Sequence, residues 1–282
     1  MTAGDLCVSR NIALCLLIYS ASACDAVPRD SSCAAASIYV AASLSAAFDS
    51  ALRDVNAAAD VHCPPAAPRL IPGSSSTLAR QLQRGAPPGI YVSASTVWMD
   101  DLEERGLLVP DSRRSLLRNR LLLVESRAPN KSPEQNPAEL SAAGFRELIR
   151  ARLSHATDRL CTGDPEHVPL GIYARQALER SGIWTEIRDR VLPAADARRN
   201  VWYLEQNACT IGVVYQTDLR GADRRKLRSL GRIPENLHDP IVYEIALVRG
   251  APPRARALYD FFVVLPPPAR AVFQSHGFVV FQ

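Results

Sequence analysis

The run Ser37-Ile-Tyr-Val-Ala-Ala-Ser43 passes without a turn signal into Leu44-Ser-Ala-Ala-Phe48-Asp-Ser-Ala-Leu52-Arg-Asp-Val55. The first stretch reads as a buried strand of a parallel sheet. In the second, Leu44, Ala47, Phe48, Ala51, Leu52 and Val55 share one face of a helix. Ser43 therefore sits where a strand ends and a helix begins. The pattern recurs. Ser74–Thr77 opens a helix with Leu78 and Leu82 one turn apart and Gly85 as its C-cap. Gly89–Ser93 reads as a strand, and Ser95 caps a helix carrying Val97, Trp98 and Leu102. Further strands are read at 121–125, 211–215 and 241–248. Helices are read around Phe145–Ile149, Tyr173–Leu178, 195–207, 258–262 and 269–273. Alternation of this kind predicts an α/β fold with mainly parallel sheets flanked by helices. The Pro-rich stretch His62–Pro72 and the segment Arg127–Pro137 read as surface loops.

The chain has 282 residues, enough for two lobes or one large domain, and a formal net charge of +4 with both signs mixed. No basic stripe is interleaved with aromatics, so nucleic acid is not an expected partner. The cluster Arg220–Arg228 reads as a solvated face or loop. No apolar run reaches the roughly 18 residues that span a bilayer. At the N-terminus, Arg10 precedes the apolar run Ile12–Tyr19, and Ala21-Ser-Ala23 resembles a cleavage site, which predicts an export signal over 1–23 and a linker over 24–35. Asp5 weakens the positive flank of that signal. Cys24 follows the cleavage site directly and allows lipid anchoring, but Ala21 stands where a lipobox carries Leu, so simple secretion is the preferred reading.

Seven cysteines are present without a C-x-x-C pair, which disfavours a zinc ribbon or a thioredoxin-like site. Export permits a disulfide but leaves its pairing open. Cys161 and Cys209, in apolar neighbourhoods, read equally well as buried thiols.

Three places share one geometry: Ser43, Ser74–Thr77 and Val168–Tyr173 each lead into a helix. The first N–H groups of a helix have no internal acceptor, and its dipole places partial positive charge there. Such ends bind anions without Lys or Arg. Any one of these serines is equally an ordinary N-cap; only convergence would make them a site. Asp164-Pro-Glu-His167 invites a metal reading, but it lacks the His spacing of helical zinc sites, and the other histidines are scattered. No G-x-S-x-G elbow, Walker A or G-x-G-x-x-G motif is present.

Taken in order, the motifs Val40-Ala-Ala-Ser-Leu44, Ser74-Ser-Ser-Thr-Leu-Ala-Arg-Gln81, Val92-Ser-Ala-Ser with Trp98-Met99, Gly163-Asp-Pro-Glu-His-Val-Pro, Gly171-Ile-Tyr-Ala174, Pro193-Ala-Ala-Asp196 and Gly212-Val-Val-Tyr215 resemble the periplasmic molybdate-binding proteins of ABC importers. The resemblance covers about Ile38 to Phe278. It implies a two-lobed periplasmic-binding-protein fold of type II, with lobe 1 over 36–120 and 241–282 and lobe 2 over 121–240. It also implies an oxyanion site formed by the hydroxyls of Ser43, Ser75 and Tyr215 and the backbone N–H groups of Leu170 and Ala197. The implied ligand is molybdate or tungstate, with no cofactor, no direct metal ligand and no catalysed reaction. The implied partner is a membrane permease, and the implied state is an extracytoplasmic or periplasmic monomer. Relatives usually carry a small residue at the Leu170 position and often Val at the Ala197 position; main-chain donors survive both changes. All five positions are neutral donors, which suits a dianion that only accepts; hydrogen phosphate would leave its O–H unpaired. Sulfate or another tetrahedral oxyanion is the alternative ligand, and a sensor role or an enzyme on a similar fold are the rival classes.

Overall fold

The computed structural model describes residues 36–58, 68–126, 137–222 and 226–281. The expected export signal, the linker and Cys24 lie outside the described residues.

The chain begins with β1 (Ser37–Ala41), a 3-10 turn over Ala42–Leu44, and α1 (Ser45–Ala58). The expected strand stops two residues early because the Ser45 N–H and hydroxyl both donate to the Ala42 carbonyl, which tightens the chain into a turn. Next come β2 (Arg69–Gly73), α2 (Ser75–Gln83), β3 (Ile90–Ser93), α3 (Thr96–Glu104) and β4 (Arg114–Arg118). The end of the Pro-rich stretch is thus not a loop but an edge strand, β2, paired in parallel with β1 so that Pro72 stands opposite Val40. Proline lacks a ladder donor and is tolerated there because one side of an edge strand needs none.

After β4 the chain enters a second sheet through β5 (Leu121–Ser126), α4 (Ala142–Arg152), β6 (Leu160–Gly163), α5 (Pro169–Arg180), α6 (Trp184–Ile187), β7 (Val191–Ala194), α7 (Ala197–Glu205), β8 (Ile211–Tyr215), α8 (Asp218–Gly221) and β9 (Leu227–Arg232). It then returns to the first sheet with β10 (Val242–Leu247), α9 (Pro253–Val264), α10 (Pro267–Ser275) and β11 (Val279–Val280). The strand orders are β11-β4-β10-β3-β1-β2 and β7-β6-β8-β5-β9.

Both sheets are mixed rather than mainly parallel. β1, β2 and β3 pair in parallel, as do β6, β7 and β8, whereas β4, β5, β9, β10 and β11 make antiparallel pairs. The reason is connectivity. Parallel neighbours need a crossover such as a helix, and the strands flanking the two passages between sheets have none. Those passages are Asn119–Arg120 and residues 233–241, and the Asn119 N–H donates to the Ile241 carbonyl at 3.3 Å, tying one to the other.

A single buried apolar cluster runs through both lobes, from Ile38 and Phe48 to Leu121, Leu170 and Tyr215. Phe48 stacks at 4.5 Å from Phe262 and 5.3 Å from Phe273, which fastens α1 to the returning helices. Of the Arg220–Arg228 cluster, residues 223–225 lie outside the described residues, and both ends are held. Arg220 donates to the Ser275 carbonyl at 2.6 Å, and Arg228 pairs with Glu125, which also holds Arg152 at 2.7 Å.

Cys161 of β6 and Cys209, just before β8, form a disulfide inside the second lobe, packed against Leu204 and Val214. It closes a loop with a sequence separation of 48, and loop-entropy arguments put its stabilisation on the order of 4 kcal/mol. The double variant Cys161→Ala/Cys209→Ala should lose stability in that range, read as a lower urea midpoint, and should be insensitive to reductant where the wild type is not.

Candidate functional site

The parallel strands of each sheet turn into helices at their carboxyl ends, and those turns meet. One small cavity of about 10 Å³ is lined by Ala41, Ala42, Ser43, Gly73, Ser74, Ser75 and Ala94 from the first lobe and by Val168, Pro169, Leu170, Ala197 and Tyr215 from the second. All five residues expected from the sequence line it, and no charged side chain does. The location follows the general rule for open α/β sheets, in which ligands sit beyond the carboxyl ends of the strands.

Each donor has a local cause. Ser74 is the N-cap of α2, its hydroxyl accepting the Thr77 N–H at 3.2 Å. Ser75 is thereby left at the first helical position, buried, with the Tyr91 hydroxyl donating to its carbonyl at 2.9 Å. The Ser75 hydroxyl oxygen accepts the Ala94 N–H at 2.9 Å. Its own proton therefore remains available for donation.

In the second lobe, the Asp164 carboxylate accepts the Glu166 N–H at 2.9 Å and its carbonyl accepts the Val168 N–H at 3.0 Å. This closes a turn in front of α5, with Pro169 at its first position. The turn lies so close to the helix that a Cβ on Gly171 would come within 2.2 Å of the Gly163 carbonyl oxygen. Only glycine fits, and the close approach brings the first N–H groups of α5, including that of Leu170, to the cavity. The Leu170 side chain is 1 % exposed and belongs to the core, so its size is absorbed by packing. Asp196 caps α7 by accepting the Arg199 N–H at 2.8 Å, which leaves Ala197 in the first turn.

Tyr215 ends β8. Its side chain is 1 % exposed, and its hydroxyl has no hydrogen-bond partner among the described residues. Burial pushes its pKa well above the ordinary tyrosine value, so it stays a neutral donor. A buried orphan hydroxyl costs free energy unless something accepts its proton, and this one borders the cavity.

The Asp164–His167 stretch plays a different part. The His167 ring lies 3.3 Å from the Asp164 carboxylate, and Glu166 pairs with Arg175 at 2.6 Å. The His167 carbonyl accepts the Trp98 indole N–H at 2.9 Å, a contact between the lobes. Tyr173 to the Ala94 carbonyl at 3.3 Å and Arg198 to the Ser45 hydroxyl at 3.3 Å are two more. These bonds describe lobes closed on the cavity.

Two residues at the site went unnoticed in the sequence. Tyr243 of β10 lies with its hydroxyl 3.1 Å from the Ser43 hydroxyl, and Asn119 donates to Tyr243 at 2.9 Å. They are 200 and 76 residues along the chain from Ser43, and no local periodicity marks them. A lone Asn between two apolar strands was the available signal.

Two α/β lobes closed on a small cavity ringed by neutral donors are the architecture of a solute-binding protein. Residues 36–279 match the family described as bacterial extracellular solute-binding protein, and the chain belongs to that family. Its members bind solutes and are not enzymes, and the location of the family is extracytoplasmic. The chain is 33% identical over 208 residues to the molybdate-binding protein ModA of Escherichia coli (strain K12), a match covering 73% of this chain and 76% of the relative. Among solved structures, the Azotobacter vinelandii periplasmic molybdate-binding protein superposes with a TM-score of 0.69 at 18% identity, covering 88% of this chain and 100% of that one. The sulfate-binding protein SubI from Mycobacterium tuberculosis H37Rv superposes at 0.64 with 13% identity, covering 86% of each chain. These two likenesses bear on the fold alone.

A wider cleft of about 580 Å³ adjoins the cavity, lined among others by Ser43, Arg198, Asp218 and His276. Burial raises the Asp218 pKa from 3.8 to about 7, although the Tyr215 N–H donates to its carboxylate. Between those values the folded chain keeps a proton that the unfolded chain has lost, so stability falls as pH rises through that window. Asp218→Asn removes the penalty. Its thermal midpoint relative to wild type should move in the variant's favour between pH 4 and pH 8, measured by differential scanning calorimetry.

Proposed function

We propose that the protein captures molybdate, and tungstate with it, between its lobes and delivers the anion to the permease of an ABC importer. The observation that carries this reading is the buried hydroxyl of Tyr215, without a partner among the described residues, on a residue that lines a cavity with no charged side chain in its lining. A fully deprotonated tetrahedral oxyanion accepts at every oxygen and can satisfy all of them. Hydrogen phosphate would bring a donor to a cavity lined by no carboxylate, and an unpaired buried O–H is costly. The relative from Escherichia coli, by name a molybdate-binding protein, supports the same anion.

In this reading Ser43 and Ser75 contact the anion from the first lobe (36–120 and 241–282), and Leu170, Ala197 and Tyr215 from the second (121–240). The anion bridges the lobes and favours the closed arrangement by hinge motion. An export signal over 1–23 would deliver the chain as a periplasmic monomer, with simple secretion favoured over acylation of Cys24. Sulfate shares the acceptor-only chemistry and is the competing ligand.

Titration calorimetry with molybdate, tungstate, sulfate and phosphate tests the proposal. Sub-micromolar binding of molybdate with no binding of sulfate is expected; tight sulfate binding, or no oxyanion binding, would overturn it. Removing one hydrogen bond to a charged ligand costs about 2 kcal/mol, roughly thirty-fold in affinity. Ser75→Ala and Tyr215→Phe should each show a loss of that size, whereas His167→Ala should bind nearly as the wild type does.

A further inference from the structure

We infer that Asn119, acting through Tyr243, holds Ser43 as a hydrogen-bond donor and so sets the preference of the cavity for fully deprotonated oxyanions. The inference rests on the oxyanion reading above and adds two positioning residues to it.

The direction of every bond in this chain of contacts follows from its first member. The Asn119 Oδ1 accepts the Arg120 N–H at 2.9 Å, so the other end of the amide is the NH₂ group. That group has two protons and two acceptors: the Thr217 hydroxyl at 2.9 Å and the Tyr243 hydroxyl at 2.9 Å. Tyr243 thus accepts from Asn119 and keeps a single proton of its own. Tyr243 is fully buried, and the only other contact its hydroxyl makes among the described residues is Ser43, at 3.1 Å. Donation from Tyr243 to Ser43 satisfies both groups. The reverse would leave the Tyr243 proton buried without an acceptor, which is unfavourable. Burial also pushes the Tyr243 pKa above the ordinary tyrosine value, so that proton is retained.

With its oxygen accepting from Tyr243, Ser43 turns its own proton to whatever occupies the cavity. Ser75 is fixed the same way, because its oxygen is already occupied by the Ala94 N–H. Tyr215 is a neutral hydroxyl, the Ser74 hydroxyl is engaged by Ser76 and by the Thr77 N–H in the cap of α2, and the remaining donors are backbone N–H groups. The relay therefore commits the one serine that could otherwise have rotated to accept from a protonated ligand. Its position adds a second consequence. Asn119 sits in a passage between the lobes and bonds Thr217 of one lobe and Tyr243 of the other, so the same side chain that orients Ser43 also spans the closed arrangement.

Asn119→Asp is the isosteric reversal. A carboxylate still accepts the Arg120 N–H and can accept from Thr217 and Tyr243, but the Tyr243 proton is drawn away from Ser43, whose oxygen loses its fixed donor and whose proton can turn to the Tyr243 oxygen in competition with the anion. The test is titration calorimetry of wild type, Asn119→Asp, Tyr243→Phe and the double variant with molybdate and with inorganic phosphate, each variant checked by its thermal midpoint. Asn119→Asp should lose at least ten-fold in molybdate affinity when Tyr243 is present and less than three-fold when Phe replaces it, the residual loss being the effect of the added charge. Tyr243→Phe, which frees Ser43 to rotate, should lower the ratio of molybdate to phosphate affinity at least ten-fold. An unchanged ratio in Tyr243→Phe, or equal losses from Asn119→Asp in both backgrounds, overturns the relay. A wild type that binds neither anion instead overturns the oxyanion reading, and the relay's role with it. Should Asn119→Asp fail to fold, the ratio in Tyr243→Phe alone decides.

Discussion

Everything at the site depends on unpaired N–H groups at helix starts being brought to one place. A helix cannot satisfy its first donors internally, and each parallel strand followed directly by a helix delivers such a start at the carboxyl edge of its sheet. The first lobe supplies the turn after β1 and the start of α2; the second supplies the starts of α5 and α7. Side-chain caps deal with some of these donors: Ser74 takes the Thr77 N–H and Asp196 the Arg199 N–H. The donors that remain border a cavity with no charged side chain. Neutral donors grip an acceptor-only anion while leaving a protonated one with an unmet hydrogen bond.

The two passages between the sheets govern how the lobes meet. Asn119 bonds backbone to backbone with Ile241 in the other passage, and its side chain reaches Thr217 and Tyr243. Around the cavity the polar contacts between the lobes run from Trp98 to the His167 carbonyl, from Tyr173 to the Ala94 carbonyl and from Arg198 to the Ser45 hydroxyl. Inside the second lobe the Cys161–Cys209 bond ties the region between β6 and β8 from which two of its donor-bearing turns arise.

Much of this was legible along the chain. The periodicity of Leu44–Val55 marks α1, and the apolar runs at 37–41, 90–93, 121–126, 211–215 and 242–247 mark the buried strands. Strands with weaker patterns escaped. β2 ends in Pro72-Gly73, β4 mixes Arg and Ser with Leu, β6 ends in Thr162-Gly163, and β7 carries Pro193. The mixed character of the sheets also escaped, because strand direction is set by which sheet the next segment joins, and nothing local records that. Asp164, Glu166 and His167 lack the spacing of a metal site, and in the structure Asp164 closes the turn before α5 and the His167 carbonyl makes the lobe contact with Trp98.

The sequence by itself determined the strand-to-helix junctions, their caps and the glycines at 163 and 171, because capping, turn geometry and close approach depend on residues only a few positions apart. Its motifs also carried the resemblance that implies the five expected donors. Only the tertiary structure decided that those junctions face one another, that Cys161 meets Cys209, and that Asn119 and Tyr243 stand behind Ser43. Those are contacts between residues 48 to 200 positions apart. Long-range contacts of that kind are fixed by how the sheets pack and where the chain crosses between them, which no window of sequence contains.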